Sequence, residues 1–232
     1  MQAAATRYNR VADLVTYTEV EFEAREKAVR RANGTKFSLI TGDISNANDS
    51  GISYRRDRFS EVYSEMFKAT SRVYKNKGGR TRDVLYATIA VLEDELTGNR
   101  LVVAVVHTAS DVTGDLNKKN RTPRTLHWFS TIRNVERRIN QLARAHKADA
   151  RLFVADFNID FKQAWARSLI KSVAPTFSHT WKNLNFKGGT HGNRVIDATL
   201  LRGKLKVKGS AKLFSDDVSS DHRPYIETLV WS

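Results

Sequence analysis

The stretch Arg151-Leu152-Phe153-Val154-Ala155-Asp156-Phe157-Asn158 constrains this chain more than any other. Its four consecutive apolar residues read as a strand buried on both faces, the kind found inside layered α/β folds. The run stops at Asp-Phe-Asn, which sets a carboxylate and an amide two residues apart at the strand end. Such a pair packs poorly and is well suited to chemistry, and the carboxyl ends of core strands are where open α/β sheets place ligands. The plain alternative is an Asx turn closing the strand. A second run, Leu101-Val102-Val103-Ala104-Val105-Val106, has the same two-sided character and ends at His107.

The remaining elements follow from periodicity. Residues 2–12 are expected as a short helix and Asp13–Val20 as a core strand carrying the acid Glu19. The next elements are a helix from Phe22 to Ala32, stopped by Asn33-Gly34, and a strand at Lys36–Thr41. Ser50–Arg55 and Phe59–Phe67 read as paired strands around Arg56-Asp57-Arg58. Val84–Glu93 and Arg100–His107 read as a hairpin through Thr97-Gly98-Asn99. Leu126, Phe129, Ile132, Val135, Ile139 and Leu142 form one apolar stripe of a helix from Pro123 to His146; its Arg133, Arg137, Arg138 and Arg144 are assigned to a solvated outer face. A helix at Lys162–Val173 and strands at Phe177–Trp181, Arg194–Arg202, Lys204–Lys208, Lys212–Phe214 and Tyr225–Trp231 complete the chain. Strands dominate without strict βαβ alternation. The fold class is therefore α/β, with two mixed sheets packed face to face and helices outside, in one domain over residues 1–232.

Composition narrows the partners. The formal net charge is +14 with pI near 10.1. Residues 1–50 balance at seven basic and seven acidic, so the excess lies in the body of the domain. Spread basicity suits polyanion binding, most simply nucleic acid. The absence of cysteine excludes disulfides and thiolate metal sites. No apolar run is long enough to cross a membrane, and the N-terminus lacks signal-peptide order, so a cytoplasmic monomer without membrane contact is expected. Two glycine- or lysine-bearing basic loops, 75–82 and 111–124, are candidate phosphate-backbone contacts through Arg80, Lys118, Lys119 and Arg121, with Arg194 as a further one.

Five strand ends carry polar groups in apolar surroundings: Glu19, His107, Asp156 with Asn158, Asp197, and Asp221-His222. Oxygen ligands for a hard cation, a base for water and donors for phosphoryl oxygens are what metal-assisted phosphate-ester hydrolysis requires. In this respect the sequence resembles the endonuclease/exonuclease/phosphatase superfamily, which includes DNase I-like and exonuclease III-like enzymes. The resemblance rests on residues 12–20, Gly51–Phe59, Val105-Val106-His107-Thr108, Ala155-Asp156-Phe157-Asn158, Val195-Ile196-Asp197 and Ser220-Asp221-His222-Arg223-Pro224, in that order.

The resemblance implies a four-layer α/β/β/α sandwich, here without the family's usual first strand and its Asn. It implies that Glu19 binds Mg²⁺ (Mn²⁺ as substitute), assisted by Asp221, and that Asp156 activates water. Asn158 donates to a phosphoryl oxygen, Asp197 and His222 form a carboxylate–imidazolium pair, and His107 acts on the leaving-group side. The implied activity, combined with the charge, is that of a nuclease, with DNA as the first-choice substrate. A phosphatase or phospholipase of the same fold and a catalytically weak nucleic-acid-binding protein are the alternatives.

Overall fold

The computed structural model describes residues 1–20, 23–42, 50–75, 79, 81–82, 84–110, 112–116, 122–180, 188–213 and 221–232. The first third of the chain forms α1 (Gln2–Tyr8), β1 (Leu14–Tyr17), α2 (Glu23–Asn33), β2 (Phe37–Ile40), β3 (Gly51–Arg55) and β4 (Phe59–Thr70). Then come β5 (Tyr74–Lys75), β6 (Thr81–Arg82), β7 (Leu85–Asp94), β8 (Arg100–His107), α3 (Thr113–Leu116) and α4 (Pro123–Ala145). The last third holds β9 (Ala150–Asp156), α5 (Ala164–Val173), β10 (Ser178–His179), β11 (Asp197–Gly203) and β12 (Leu205–Val207). It closes with β13 (Lys212–Leu213), β14 (Tyr225–Ile226) and β15 (Leu229–Trp231).

The larger sheet has six strands in the order β10-β11-β9-β8-β7-β4, and only β8 and β9 run parallel. The smaller sheet is antiparallel, in the order β1-β3-β2. Alternation along the central strands explains how the layers assemble, because successive side chains point to opposite faces. Ile89 and Val91 of β7, Val102, Ala104 and Val106 of β8, and Phe153 and Ala155 of β9 face one way and pack on Trp128, Ile132, Val135 and Ile139 of α4 and Ile170 of α5. Their neighbours Ala90, Leu92, Leu101, Val103, Val105 and Leu152 face the other way, onto Ile52 and Tyr54 of β3. A third cluster, Ala5, Tyr17, Val20 and Val29, seats α1 and α2 on the outside of the smaller sheet. The result is the expected α/β/β/α order. Each side chain buried in full contributes about 1.5–3 kcal/mol, so the two-sided strands are the mechanical centre of the fold.

α4 has a clear start and a purpose. The Thr122 hydroxyl accepts from the Thr125 N–H at 3.3 Å and Pro123 occupies the first turn. Its buried Trp128 donates from Nε1 to the Phe157 carbonyl at 2.8 Å, which ties the helix to the turn after β9.

Several expectations change. The strand expected over Tyr225–Trp231 is two, β14 paired with β13 and β15 with β12, and the strand expected over Asp13–Val20 ends at Tyr17, before Glu19. β3 and β4 are not partners: β3 pairs with β1 and β2, β4 with β7, so Arg56-Asp57-Arg58 carries the chain from one sheet to the other. Strands with strong burial on one or both faces look alike in sequence whether they share a sheet or face each other across the core. The guanidinium of Arg138, assigned to solvent, instead pairs with Glu65 of β4 at 2.6 Å. The 97–99 turn does make the β7–β8 hairpin, with Gly98 at φ 69°. β1 is an edge strand among the described residues. No helix among the described residues is long and apolar enough to cross a membrane.

Candidate active site

The register of three adjacent strands builds the site. His107 at the end of β8 pairs with Asp156 at the end of β9, and Asp197 at the start of β11 pairs with Asp156 from the other side. Residues opposite one another in register share a face of the sheet. Asp156 shares parity with Leu152, His107 with Val105 and Asp197 with Leu201, so all three project toward the space between the two sheets, at its rim. β9 thus delivers a carboxylate flanked by an imidazole and a second carboxylate.

His222 completes the row from the C-terminal segment. Its Nδ1 lies 2.8 Å from Asp197 Oδ2, and its Nε2 lies 3.7 Å from Asp156 Oδ2. His107 Nε2 stands 3.4 Å from the same Asp156 oxygen. The other oxygen, Oδ1, accepts the Asn158 N–H at 2.8 Å. Asn158 adopts a left-handed backbone with φ 53°, and its side-chain amide donates to the Thr108 carbonyl at 3.1 Å. Thr108 in turn donates through both N and Oγ1 to the Asp156 carbonyl, at 3.0 and 2.8 Å. These bonds fix the Asp156 backbone carbonyl and one carboxylate oxygen.

Burial and charge set the protonation. Asp156 is only 2% exposed. That burial, then the charge of Asp197, push its carboxyl up to about 7, against the opposing pull of His107, His222 and the Asn158 N–H. Burial acts in the opposite direction on His222, but the hydrogen bond and charge of Asp197, with Asp156 and Asp221 behind it, win and raise the imidazole to about 9. At neutral pH the row therefore holds an imidazolium beside a carboxyl that is about half ionised.

A second constellation sits at the mouth, joining the expected Asp221, His222 and Arg194 to His191, which the sequence reading did not single out. Gly189 to Arg194 fold into a tight reversal in which His191 and Arg194 exchange backbone hydrogen bonds, each at 3.0 Å. A side chain at Gly189 would meet the Arg194 carbonyl at 2.1 Å, so only glycine fits. Thr190 Oγ1 accepts from the N–H groups of Ile196 and Asp197, both at 3.1 Å, and so anchors the start of β11. His191 pairs by a single bridge with His222, their rings 4.9 Å apart. Arg194 Nη2 lies 2.9 Å from His191 Nδ1. A guanidinium only donates, so Nδ1 accepts and Nε2 carries the proton, which it gives to Asp221 Oδ2 at 3.0 Å. Arg194, expected on the phosphate backbone, is thus engaged with His191. The available sequence signal was the glycine density of Gly188-Gly189-Thr190-His191-Gly192.

Among the described residues two groups of candidate metal ligands emerge, Asp156 with Asp197 and His222, and His191 with Asp221 and His222, each with ligand atoms within 4.8 Å of one another. Glu19 belongs to neither. It stands after β1 with φ 60°, its carbonyl accepting from Arg25 at 2.6 Å. Two of the three non-glycine residues with positive φ among those described are Glu19 and Asn158; such strain concentrates at working sites. The donor set suits a hard, partly hydrated cation at the mouth: the Asp221 side chain is 75% exposed and only one of its oxygens is committed to His191. The expected contacts Arg80, Lys118, Lys119 and Arg121 lie outside the described residues.

No family model matches the sequence, and comparison with curated proteins finds no match. Solved structures do match. An endonuclease/exonuclease/phosphatase family protein from Bacteroides thetaiotaomicron superposes with TM-score 0.73 at 16% identity, over 100% of this chain and 86% of that one. The chain has the endonuclease/exonuclease/phosphatase fold. Its likenesses within that fold differ in activity. A mannosyl-6-phosphatase from the same bacterium gives TM-score 0.72 at 17% identity, covering 99% and 90% of the two chains. D. rerio TDP2, solved with a single-stranded DNA product, gives 0.69 at 15% identity, covering 99% and 92%. Within the endonuclease/exonuclease/phosphatase fold the row from His107 through Asp156 to Asp197 and His222 stands at the rim of the two facing sheets.

Proposed function

We propose that the chain is a divalent-metal-dependent phosphodiesterase that hydrolyses nucleic acid, DNA first. The observation that carries this reading is the His107–Asp156–Asp197–His222 row, in which a buried carboxylate poised near neutrality adjoins an imidazolium held by its own carboxylate. Asp156 takes the proton of the attacking water as the water oxygen bonds to phosphorus and the bond to the leaving oxygen breaks. A base with a pKa near the working pH is the efficient choice. His222 donates to the phosphoryl oxygen on which charge accumulates, a role worth about 10²–10³-fold in rate. Asn158 spends one amide hydrogen on Thr108, and its second is directed to a phosphoryl oxygen. His107 acts on the leaving-group side. Asp221 and Glu19 would hold the cation, Mg²⁺ with Mn²⁺ as substitute, which would supply Lewis-acid neutralisation of the phosphate.

The charge of +14 favours a polyanion over a small phosphomonoester. The likeness to a mannosyl-6-phosphatase supports phosphomonoester hydrolysis as the second reading. Plasmid, single-stranded DNA, RNA, a chromogenic bis-ester and a monoester should be assayed side by side with Mg²⁺ and with EDTA. The reading requires cleavage of nucleic acid and bis-ester that EDTA abolishes. Hydrolysis of the monoester alone would transfer the site to the second reading, and EDTA-resistant cleavage would refute both metal mechanisms.

A further inference from the structure

The outer face of α4 is more than a solvated surface. Arg133, Arg137, Asn140 and Arg144 recur at four-, three- and four-residue steps and so form one stripe, about 16 Å long at 1.5 Å per residue. The stripe forms one wall of an open groove of about 420 Å³; Ser172, Val173, Pro175 and Thr176, at and beyond the end of α5, form the other.

A chain of polar contacts joins the two walls and reaches Arg151 of β9. Arg151 donates from Nη1 to Asn140 Oδ1 at 3.1 Å, Asn140 donates to Thr176 Oγ1 at 3.1 Å, and Thr176 donates from Oγ1 to Glu136 Oε1 at 2.7 Å and from its N–H at 3.2 Å. Glu136 is the single acid among the described residues lining the groove, and it is buried and spent on Thr176. Arg133, Arg137 and Arg144 form no ion pair among the described residues. Burial and the charges of Arg202 and Arg144 act on Arg151 in the same direction, holding it below the usual arginine range. The C-terminus of α5 offers about half a negative charge, too little to offset these guanidiniums.

We infer that this groove is a second binding site, separate from the catalytic row, for the phosphodiester backbone of nucleic acid. An open stripe carrying three cations fits an extended polyanion better than a single phosphate. It lies remote from the chemistry: Arg151, bonded to the lining residue Asn140, is the second residue of β9 and Asp156 the last, about 17 Å apart along the strand. The inference rests on the nuclease reading and specifies how that substrate is held.

The test replaces Arg133, Arg137 and Arg144 together with Gln and measures binding of a duplex oligonucleotide by anisotropy across a salt series. Each backbone contact contributes about −0.9 to the log–log slope, so the triple variant should flatten it by roughly 2 to 3, and Arg137→Gln alone by about 1. Hydrolysis of the small bis-ester should be unchanged, which also shows that the variant is folded. A control removing the exposed Lys206, Lys208 and Lys212 in the same way should change the slope by less than half as much. Equal losses in the two triples would mean that net charge alone binds, and an unchanged slope in the arginine triple would overturn the groove while leaving the nuclease reading intact. Wild-type protein that hydrolyses only a monoester would instead remove the nuclease reading itself.

Discussion

Two histidine–carboxylate pairs stand side by side in this molecule. His222 and Asp197 meet at 2.8 Å, with side chains 21% and 19% exposed; His191 and Asp221 meet at 3.0 Å, with side chains 29% and 75% exposed. The chemistry is the same and the surroundings are not. Asp197 of the inner pair opens β11 in register with the buried Asp156, and His222 reaches both from the C-terminal segment, where charges are poorly screened and interact strongly. The outer pair sits on loops, and an exposed pair of this kind is worth about 0–1 kcal/mol. Contact with the buried Asp156, more than residue type, distinguishes the inner pair from the outer one.

The largest effects should come from breaking the inner set. Asp197→Ala and His222→Ala should each lower kcat/KM on a bis-ester by about 10²–10⁴-fold. Combined, they should lose little more than either alone, because they act as one unit. A double variant showing the product of the two losses would dissolve the pair.

Asp156→Asn should lose activity on the same scale while gaining stability, a combination that the outer pair cannot show. The folded carboxyl is raised from 3.8 to about 7, so between those values the folded protein holds a proton that the unfolded chain has released, and stability falls as pH rises. At pH 8 the buried charge is a net cost, so removing it should raise stability by on the order of 1–3 kcal/mol, with little gain at pH 4. Thermal unfolding at the two pH values checks this; an equal shift at both would contradict it.

His107 and Asp156 were legible in the sequence because two-sided apolar runs mark where the central strands end, whereas Asp197 opens β11 and His222 lies outside the strands, so these two were legible only through the family-like motifs. The helices were legible through the three- and four-residue stripe of α4. The pairing of β3 was not, since burial fixes that a strand is central without fixing which sheet it joins. His191 was missed because its position depends on the reversal at Gly189–Arg194, a loop feature without periodicity. Arg194 was assigned to substrate by its charge, whereas its partner is set by that same reversal.

Smaller effects should follow at the mouth. Glu19→Gln should raise the Mg²⁺ needed for half-maximal activity, with activity returning as Mg²⁺ is raised, because a neutral amide is a poorer ligand for a hard cation. Loss that no Mg²⁺ concentration restores would assign Glu19 a different role. His191→Ala should be smaller still, under about tenfold in kcat/KM on the bis-ester, as expected for an exposed pair. A loss as deep as that of His222→Ala would erase the distinction between the two pairs.

The most direct measurement is the protonation of His222 itself, followed by NMR of its imidazole nitrogens across a pH titration of the wild-type protein and of Asp197→Asn. The raised folded value means that the imidazolium adds stability in full below about 6.5, and that this contribution disappears as pH rises through about 9. The account predicts a wild-type transition near 9 that falls by one unit or more in Asp197→Asn. A wild-type His222 that titrates at or below 6.5, or one indifferent to Asp197, would contradict it.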